Sequence, residues 1–204
     1  MQTNTNQLTT NQPHTNMEID YNNITKEKRS LEELLLFLLW CTVTPGKKSQ
    51  TITPAFNSIF KQTKPSDLLN KDGRTITAAL RNARIGQYKR LSACWRTISQ
   101  YKPYGQFYNV NRDELMQNIP GIGPKTASFF VLHSRPYEDI AVLDIHILRY
   151  LQQQFPKYPI PEQTPQDLDE YKRLEAMFIG LAAQQDKSVS SLDTEIWQKF
   201  STSN

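Results

Sequence analysis

Between two short helical segments the chain reads PGIGPKTA, Pro120 to Ala127. Few stretches restrict a fold as tightly. Upstream, NRDELMQNI (111–119) has the makings of a short helix, with Asn111 as its cap and Glu114 reaching back three residues later. Pro120 stops that helix, and Gly121 supplies a backbone conformation that other residues resist. Gly123 lets another backbone approach closely, and Pro124 sits in the first turn of PKTASFFVLHS. Ala127 leaves room for the two helices to pack. The spacing predicts a helix, a tight glycine turn and a second helix. Amides opening that second helix face outward, carry partial positive charge and have no side chain over them. They make a phosphate seat that reads no sequence. Gly121, Ile122 and Gly123 are the residues expected to form it.

The rest of the chain has helical periodicity nearly throughout, with no convincing alternating strand and no repeat, so the expected class is all-α. A first helix is expected over about Lys26 to Val43, apolar all round at its end, as a central helix is. TPGKKSQTIT (Thr44 to Thr53) reads as a loop, after which Thr53 and Pro54 offer an N-cap and first helical residue. Pro65 opens a short helical turn, and RTITAALRNA forms another helix. QYKRLSACWRTISQY places Tyr88, Leu91, Trp95 and Ile98 on one face. Near the end, Leu168, Tyr171, Leu174, Phe178 and Leu181 form a stripe, and VSSLDTEIWQKF is the last helix. Residues 1–20, rich in Asn, Gln and Thr at their start, read as a disordered polar tail, and 21–204 as the folded domain.

Charge is unevenly placed along the chain. Residues 45–112 carry thirteen basic side chains against two acidic ones, a local +11, within a protein of net charge +4. That segment suits a polyanion, although a solvated basic face reads the same way. Two cysteines, Cys41 and Cys94, allow neither a disulfide framework nor a four-cysteine cluster. With three scattered histidines, no metal site is expected. No secretory signal is visible, and the longest apolar run, Leu34 to Val43, is too short to span a bilayer. An intracellular protein is expected, of the cytoplasm and nucleoid, or of the nucleus in a eukaryote, with no membrane partner.

Lys125 lies in the first turn of the second hairpin helix, where the dipole opposes a cation. Two readings follow: a phosphate clamp, or an amine whose neutral, nucleophilic form is favoured. Asp144 directly precedes the helical run IHILRYL and is a natural N-cap. It also follows Lys125 by 19 residues, room for one helix and a short return loop. A carboxylate returning beside the amine could take a proton from it and steady positive charge on a sugar ring.

These residues together, IPGIGPKTASFFVL and VLDIHILRYL, resemble the helix-hairpin-helix–Gly/Pro–Asp superfamily of DNA glycosylases, from about Leu31 to Phe200. The resemblance implies two helical lobes with the active site in the cleft between them. About 45–135 would form the central lobe, with the hairpin at 111–134, and 21–44 plus 136–204 the second. By the same resemblance Lys125 is the Schiff-base lysine of the bifunctional members and Asp144 the shared aspartate. His146 is expected to play a structural role beside that aspartate. RIGQYKR resembles the loop that wedges the duplex in endonuclease III-like enzymes, making Gln87 the wedge and Tyr88 its support. TPGKKSQ matches the loop facing the lesion, where Lys47 and Lys48 would meet phosphate or the flipped nucleotide. The missing iron–sulfur cysteines point away from the endonuclease III branch. SSLDTEIWQKF is similar to the C-terminal helix of the compact archaeal-type 8-oxoguanine glycosylases. There Trp197 would line the base pocket by stacking, and Asp193 would bond a base edge or serve as a cap. The chain ends STSN where that subfamily has a lysine, and Lys199 is the nearest candidate.

The expectation is therefore a monomeric glycosylase with AP lyase activity, needing no cofactor, acting on double-stranded DNA with a damaged base, chiefly an oxidised purine. One alternative is an endonuclease III-like oxidised-pyrimidine or mismatch glycosylase. Another is a non-catalytic helix-hairpin-helix DNA-binding protein, in which Lys125 neutralises phosphate and Asp144 only caps.

Overall fold

Helices begin in this protein where a side chain can close their open amides. The computed structural model describes residues 17–136 and 138–201. Helix α1 is Leu31–Val43. Ser30 Oγ accepts from the Glu33 amide at 3.4 Å, and the Glu33 carboxylate accepts from the Ser30 amide at 2.7 Å. Burial raises the Glu33 carboxyl, but hydrogen bonds from Lys26 and from the Ser30 backbone and hydroxyl outweigh it and hold it at about 2. This capping box starts the helix later than Lys26, the expected position. Residues ahead of it run along another helix instead, with the Lys26 amide donating to His133 O at 3.2 Å.

Helix α2, Ser49–Ile59, also corrects the sequence reading. Pro54 lies inside it rather than at its start, and the loop expected over 44–53 shrinks to 44–48. Thr53 is no cap. It is buried, and its hydroxyl accepts from Trp40 Nε1 at 3.0 Å, tying α2 to α1. Next come α3 (Pro65–Leu69), α4 (Gly73–Asn82), α5 (Tyr88–Gln100) and a 3-10 turn (Tyr104–Tyr108). The hairpin pair is α6 (Arg112–Asn118) and α7 (Pro124–Ser134), followed by α8 (Ile145–Gln154), α9 (Leu168–Gln184) and α10 (Val189–Ser201). No strand occurs among the described residues.

Every residue of α1 from Leu34 to Val43 is buried, so the helix needs neighbours on all sides. It finds them in α2, α3, α5 and α7. Phe37 packs on Phe129 and Phe130 with ring centroids 5.9 Å away, and Trp40 on Phe129 at 5.7 Å. The sequence reading grouped α1 with residues 136–204; here it packs on α2, α3, α5 and α7. Helices α8, α9 and α10 form the second group, with α10 packed on α8, α9 and α7. Helix α7 touches both groups, which brings Lys125 and residues of the second lobe together.

The expected tail lies outside the described residues up to position 16. Residues 17–20 belong to the folded part instead: the Ile19 amide donates to Asn57 Oδ1 at 3.0 Å, and Asn57 Nδ2 donates to Ile19 O at 3.0 Å. No helix among the described residues is long and apolar enough to cross a membrane.

Candidate active site

The hairpin forms as its residues dictate. Asn111 and Glu114 make the reciprocal cap of α6. Gly121 turns the chain at φ +82°, and a Cβ there would meet Arg90 Cγ at 2.9 Å. Gly123 is the N-cap of α7, and a Cβ on it would meet nothing within 4 Å, so the backbone is approachable. One expectation changes. The Ile122 amide already donates to Ile119 O at 3.2 Å, and its side chain is buried. An anion at this turn is left with the amides of Gly121 and Gly123 and those that open α7.

Arg90 ties this turn to two loops. It donates to Gly121 O at 3.1 Å, to Thr42 O at 2.7 Å and to Gln87 Oε1 at 2.7 Å. Lys47 donates to Ile85 O, so the lesion-loop candidate and the wedge-loop candidate are joined. Burial, and then the nearby Arg90 charge, lower the Lys47 ammonium from its ordinary value. Lys48 is exposed at the N-cap of α2. Gln87 is exposed and held at φ +47°, a left-handed conformation that costs a non-glycine residue about 1 kcal/mol. Tyr88 is half-buried under the Arg81 guanidinium, 5.0 Å from its ring centroid. The sequence reading missed Arg90. Its partners are carbonyls 31 and 48 residues away, which no local pattern reveals.

Asp144 reaches the site through an anchored extended segment. Glu175, buried on α9, accepts from the Ala141 amide at 2.8 Å and from Arg112 Nη1 at 2.8 Å. Tyr171 donates to Ala141 O at 2.9 Å and accepts from the Leu143 amide at 3.2 Å. Burial pushes the Tyr171 phenol up to about 12, so it stays protonated. Asp144 then caps α8: its Oδ1 accepts from the amides of His146 at 2.8 Å and Ile147 at 3.0 Å. Capping uses one oxygen and leaves Oδ2 available. His146 stacks on Phe200, centroids 6.2 Å apart, with its Nδ1 buried and unpaired among the described residues.

Asp193 is the point where these elements meet. It sits within α10, so it caps nothing, and it is 6% exposed. Its Oδ2 lies 3.1 Å from His133 Nε2. Burial raises its carboxyl, the His133 hydrogen bond lowers it, and the charges of Asp144 and Lys125 act on it in opposite senses. Lys125 is half-buried in the first turn of α7, and α7 and α8 both pack on α10. Trp197 follows Asp193 by four residues on the same helical face and is half-buried. His133 was not anticipated. The available signal was a histidine inside an apolar run, eight residues beyond Lys125. A groove of about 760 Å³ lined by Arg74, Arg81 and Arg96 lies between α4 and α5 and includes none of these residues.

The family described as 8-oxoguanine DNA glycosylase matches residues 15–187. An 8-oxoguanine DNA glycosylase/AP lyase of Metallosphaera sedula is 31% identical over 131 residues, 60% of this chain and 61% of that protein. One of Methanocaldococcus jannaschii is 35% identical over 88 residues, 43% of this chain and 41% of that protein. The matched stretches span less than two thirds of either relative. Among solved structures, the M. jannaschii 8-oxoguanine glycosylase/lyase in complex with a 15mer DNA containing 8-oxoguanine superposes with a TM-score of 0.66 at 23% identity, over 83% of this chain and 81% of that one. The Thermotoga maritima 8-oxoguanine DNA glycosylase gives 0.66 at 21% identity, over 82% and 79%. The architecture is thus that of these glycosylases.

Proposed function

The chain belongs to the 8-oxoguanine DNA glycosylase family, and from that premise we propose that it is an intracellular, monomeric base-excision repair glycosylase with AP lyase activity. Its substrate is duplex DNA carrying an oxidised purine such as 8-oxoguanine. The observation that carries this reading is the hairpin that sets Lys125 in the first turn of α7 while Asp144 caps α8, with α7 and α8 both packed on α10.

The duplex is held through its phosphates, by the Gly121–Gly123 turn and by basic side chains of the 45–112 segment, Lys47 and Lys48 among them. Gln87, supported by Tyr88, enters the stack as the damaged nucleotide turns out. The base stacks on Trp197 in a pocket that Asp193 borders. The neutral Lys125 amine bonds to C1′, and the base leaves with the electron pair of its glycosidic bond. Asp144 steadies the positive charge that grows on the sugar ring. The added nitrogen loses a proton, the C1′–O4′ bond breaks and O4′ takes up a proton, which leaves Lys125 joined to C1′ as a protonated Schiff base; loss of a C2′ proton then expels the 3′ phosphate and breaks the strand.

Borohydride trapping on a panel of single-lesion duplexes tests the reading. A covalent adduct is expected with an oxidised-purine duplex and is lost in Lys125→Gln, which keeps its DNA affinity within a few-fold, since the amides and not the amine hold the phosphate. An adduct confined to oxidised pyrimidines would change the substrate. No adduct on any lesion, with binding intact, would leave a DNA-binding protein only.

A further inference from the structure

Helices α4 and α5 leave an open groove between them, about 760 Å³ in volume, and Arg74, Arg81 and Arg96 line it. Arg74 and Arg81 stand at i and i+7 on one face of α4, and Arg96 reaches in from α5. All three are exposed. Among the described residues no carboxylate lies within 4 Å of their guanidiniums. Asp72, the acid on the groove wall, is turned to the backbone, where its Oδ1 accepts from the amides of Arg74 at 2.8 Å and Thr75 at 2.9 Å. From Gly73 to Arg112 the chain has no acidic residue. Like charges thus share one groove with no ion pair to offset them. The local packing makes room for them. Gly73 does not have a positive φ, yet a Cβ on it would meet Arg96 Cδ at 2.7 Å. The missing side chain lets the Arg96 stem lie along the start of α4. Thr77 donates to Gly73 O at 2.7 Å and lies 2.9 Å from Ser92 Oγ, so its hydroxyl is used within the helix pair.

We propose that this groove holds the phosphate backbone of the duplex arm that continues past Gln87, one guanidinium to each of three phosphates. This rests on the glycosylase reading and adds to it a grip on undamaged DNA outside the cleft. An open groove with cations on both walls suits a chain of anions, whereas a small ligand needs walls that bury most of its surface. The groove begins at the right place. The Arg81 guanidinium lies 5.0 Å from the Tyr88 ring centroid, and Tyr88 directly follows Gln87, the residue that enters the stack in the proposed reaction. Its length also fits. Seven positions of α4 span about 10 Å, and one DNA strand presents about three phosphates over that rise. Such contacts read no sequence, so they act on any arm long enough to reach them.

The test is a salt-resolved binding titration with three 8-oxoguanine duplexes: one with short arms, one lengthened on one side of the lesion, and one lengthened on the other. In wild type, one lengthened arm raises affinity and the other does not. Three phosphate contacts give that gain a salt slope of about 2.7, so it shrinks about 40-fold between 50 and 200 mM salt. Arg74→Gln, Arg81→Gln and Arg96→Gln together abolish the gain and its slope. The same three positions changed to Lys keep the charge and retain the slope, which a merely structural role of the arginines would not separate. Melting temperatures confirm that both variants fold. A gain absent from wild type, or unchanged in the Gln variant, overturns the inference. So does a lesion-free duplex that joins the short-duplex complex of wild type and not that of the Gln variant, since the groove would then hold a second duplex. Borohydride trapping on the same duplexes keeps the two readings apart. A Lys125-dependent adduct without the arm effect ends this inference alone, and no adduct ends the glycosylase/lyase reading beneath it.

Discussion

Asp144 shows how one residue can satisfy two readings of the sequence. Its Oδ1 closes two amides of α8, and the proposed reaction gives its other oxygen the charge on the sugar ring. The two roles separate by substitution. Asparagine caps as well as aspartate, so Asp144→Asn should melt close to wild type while base release falls by roughly 100- to 1000-fold, the usual cost of one transition-state electrostatic contact. Asp144→Ala loses the same activity and a further ~1 kcal/mol of stability from the missing cap. Paired thermal melts and single-turnover excision rates distinguish the variants. Equal stability in the two would mean that the cap contributes nothing.

Between elements, Arg90 is the residue on which most depends. One guanidinium from α5 reaches the end of α1, the hairpin turn and Gln87. Arg90→Ala leaves two carbonyls without this donor and frees the loop that bears Gln87. A loss of about 1–3 kcal/mol is expected from urea unfolding, with weaker DNA binding in a salt-resolved titration. Lysine should not rescue it, because a single ammonium cannot span the three acceptors. Gly121 belongs to the same contact: its positive φ and the packed Arg90 stem both exclude a Cβ. The glycine was legible in the sequence as a turn. Its second reason, the arginine lying over it, was not.

At the scale of the molecule, two helical groups share α7. The Arg112–Glu175 pair holds that arrangement by joining α6, α9 and the segment that delivers Asp144. Removing one partner of a buried pair typically costs ~3–5 kcal/mol. Glu175→Ala should lose stability in that range in chemical denaturation, and excision should fall further than stability explains, because the Ala141–Leu143 segment loses an anchor. Unchanged excision in the folded variant would show that Tyr171 suffices. Helix number, helix order and the all-α class were readable because a helix is specified by neighbours three and four residues apart. The starts of α1 and α2 were misplaced where a local rule was misapplied: the Ser30–Glu33 box was overlooked, and Pro54 was read as a beginning.

By itself, the sequence determined the hairpin, the all-helical architecture, and Lys125 and Asp144 as the pair to watch. Each of those follows from residues close in the chain or from a motif with fixed spacing. Only the tertiary structure decided which amides of the hairpin turn remain open, that Asp193 is an interior carboxylate rather than a cap, and that His133 stands against it. It likewise decided that α1 packs on α2, α3, α5 and α7. The physical reason is one of distance: a buried ionisable group is defined by the partner that desolvates it or bonds it, and His133 and Asp193 are 60 residues apart.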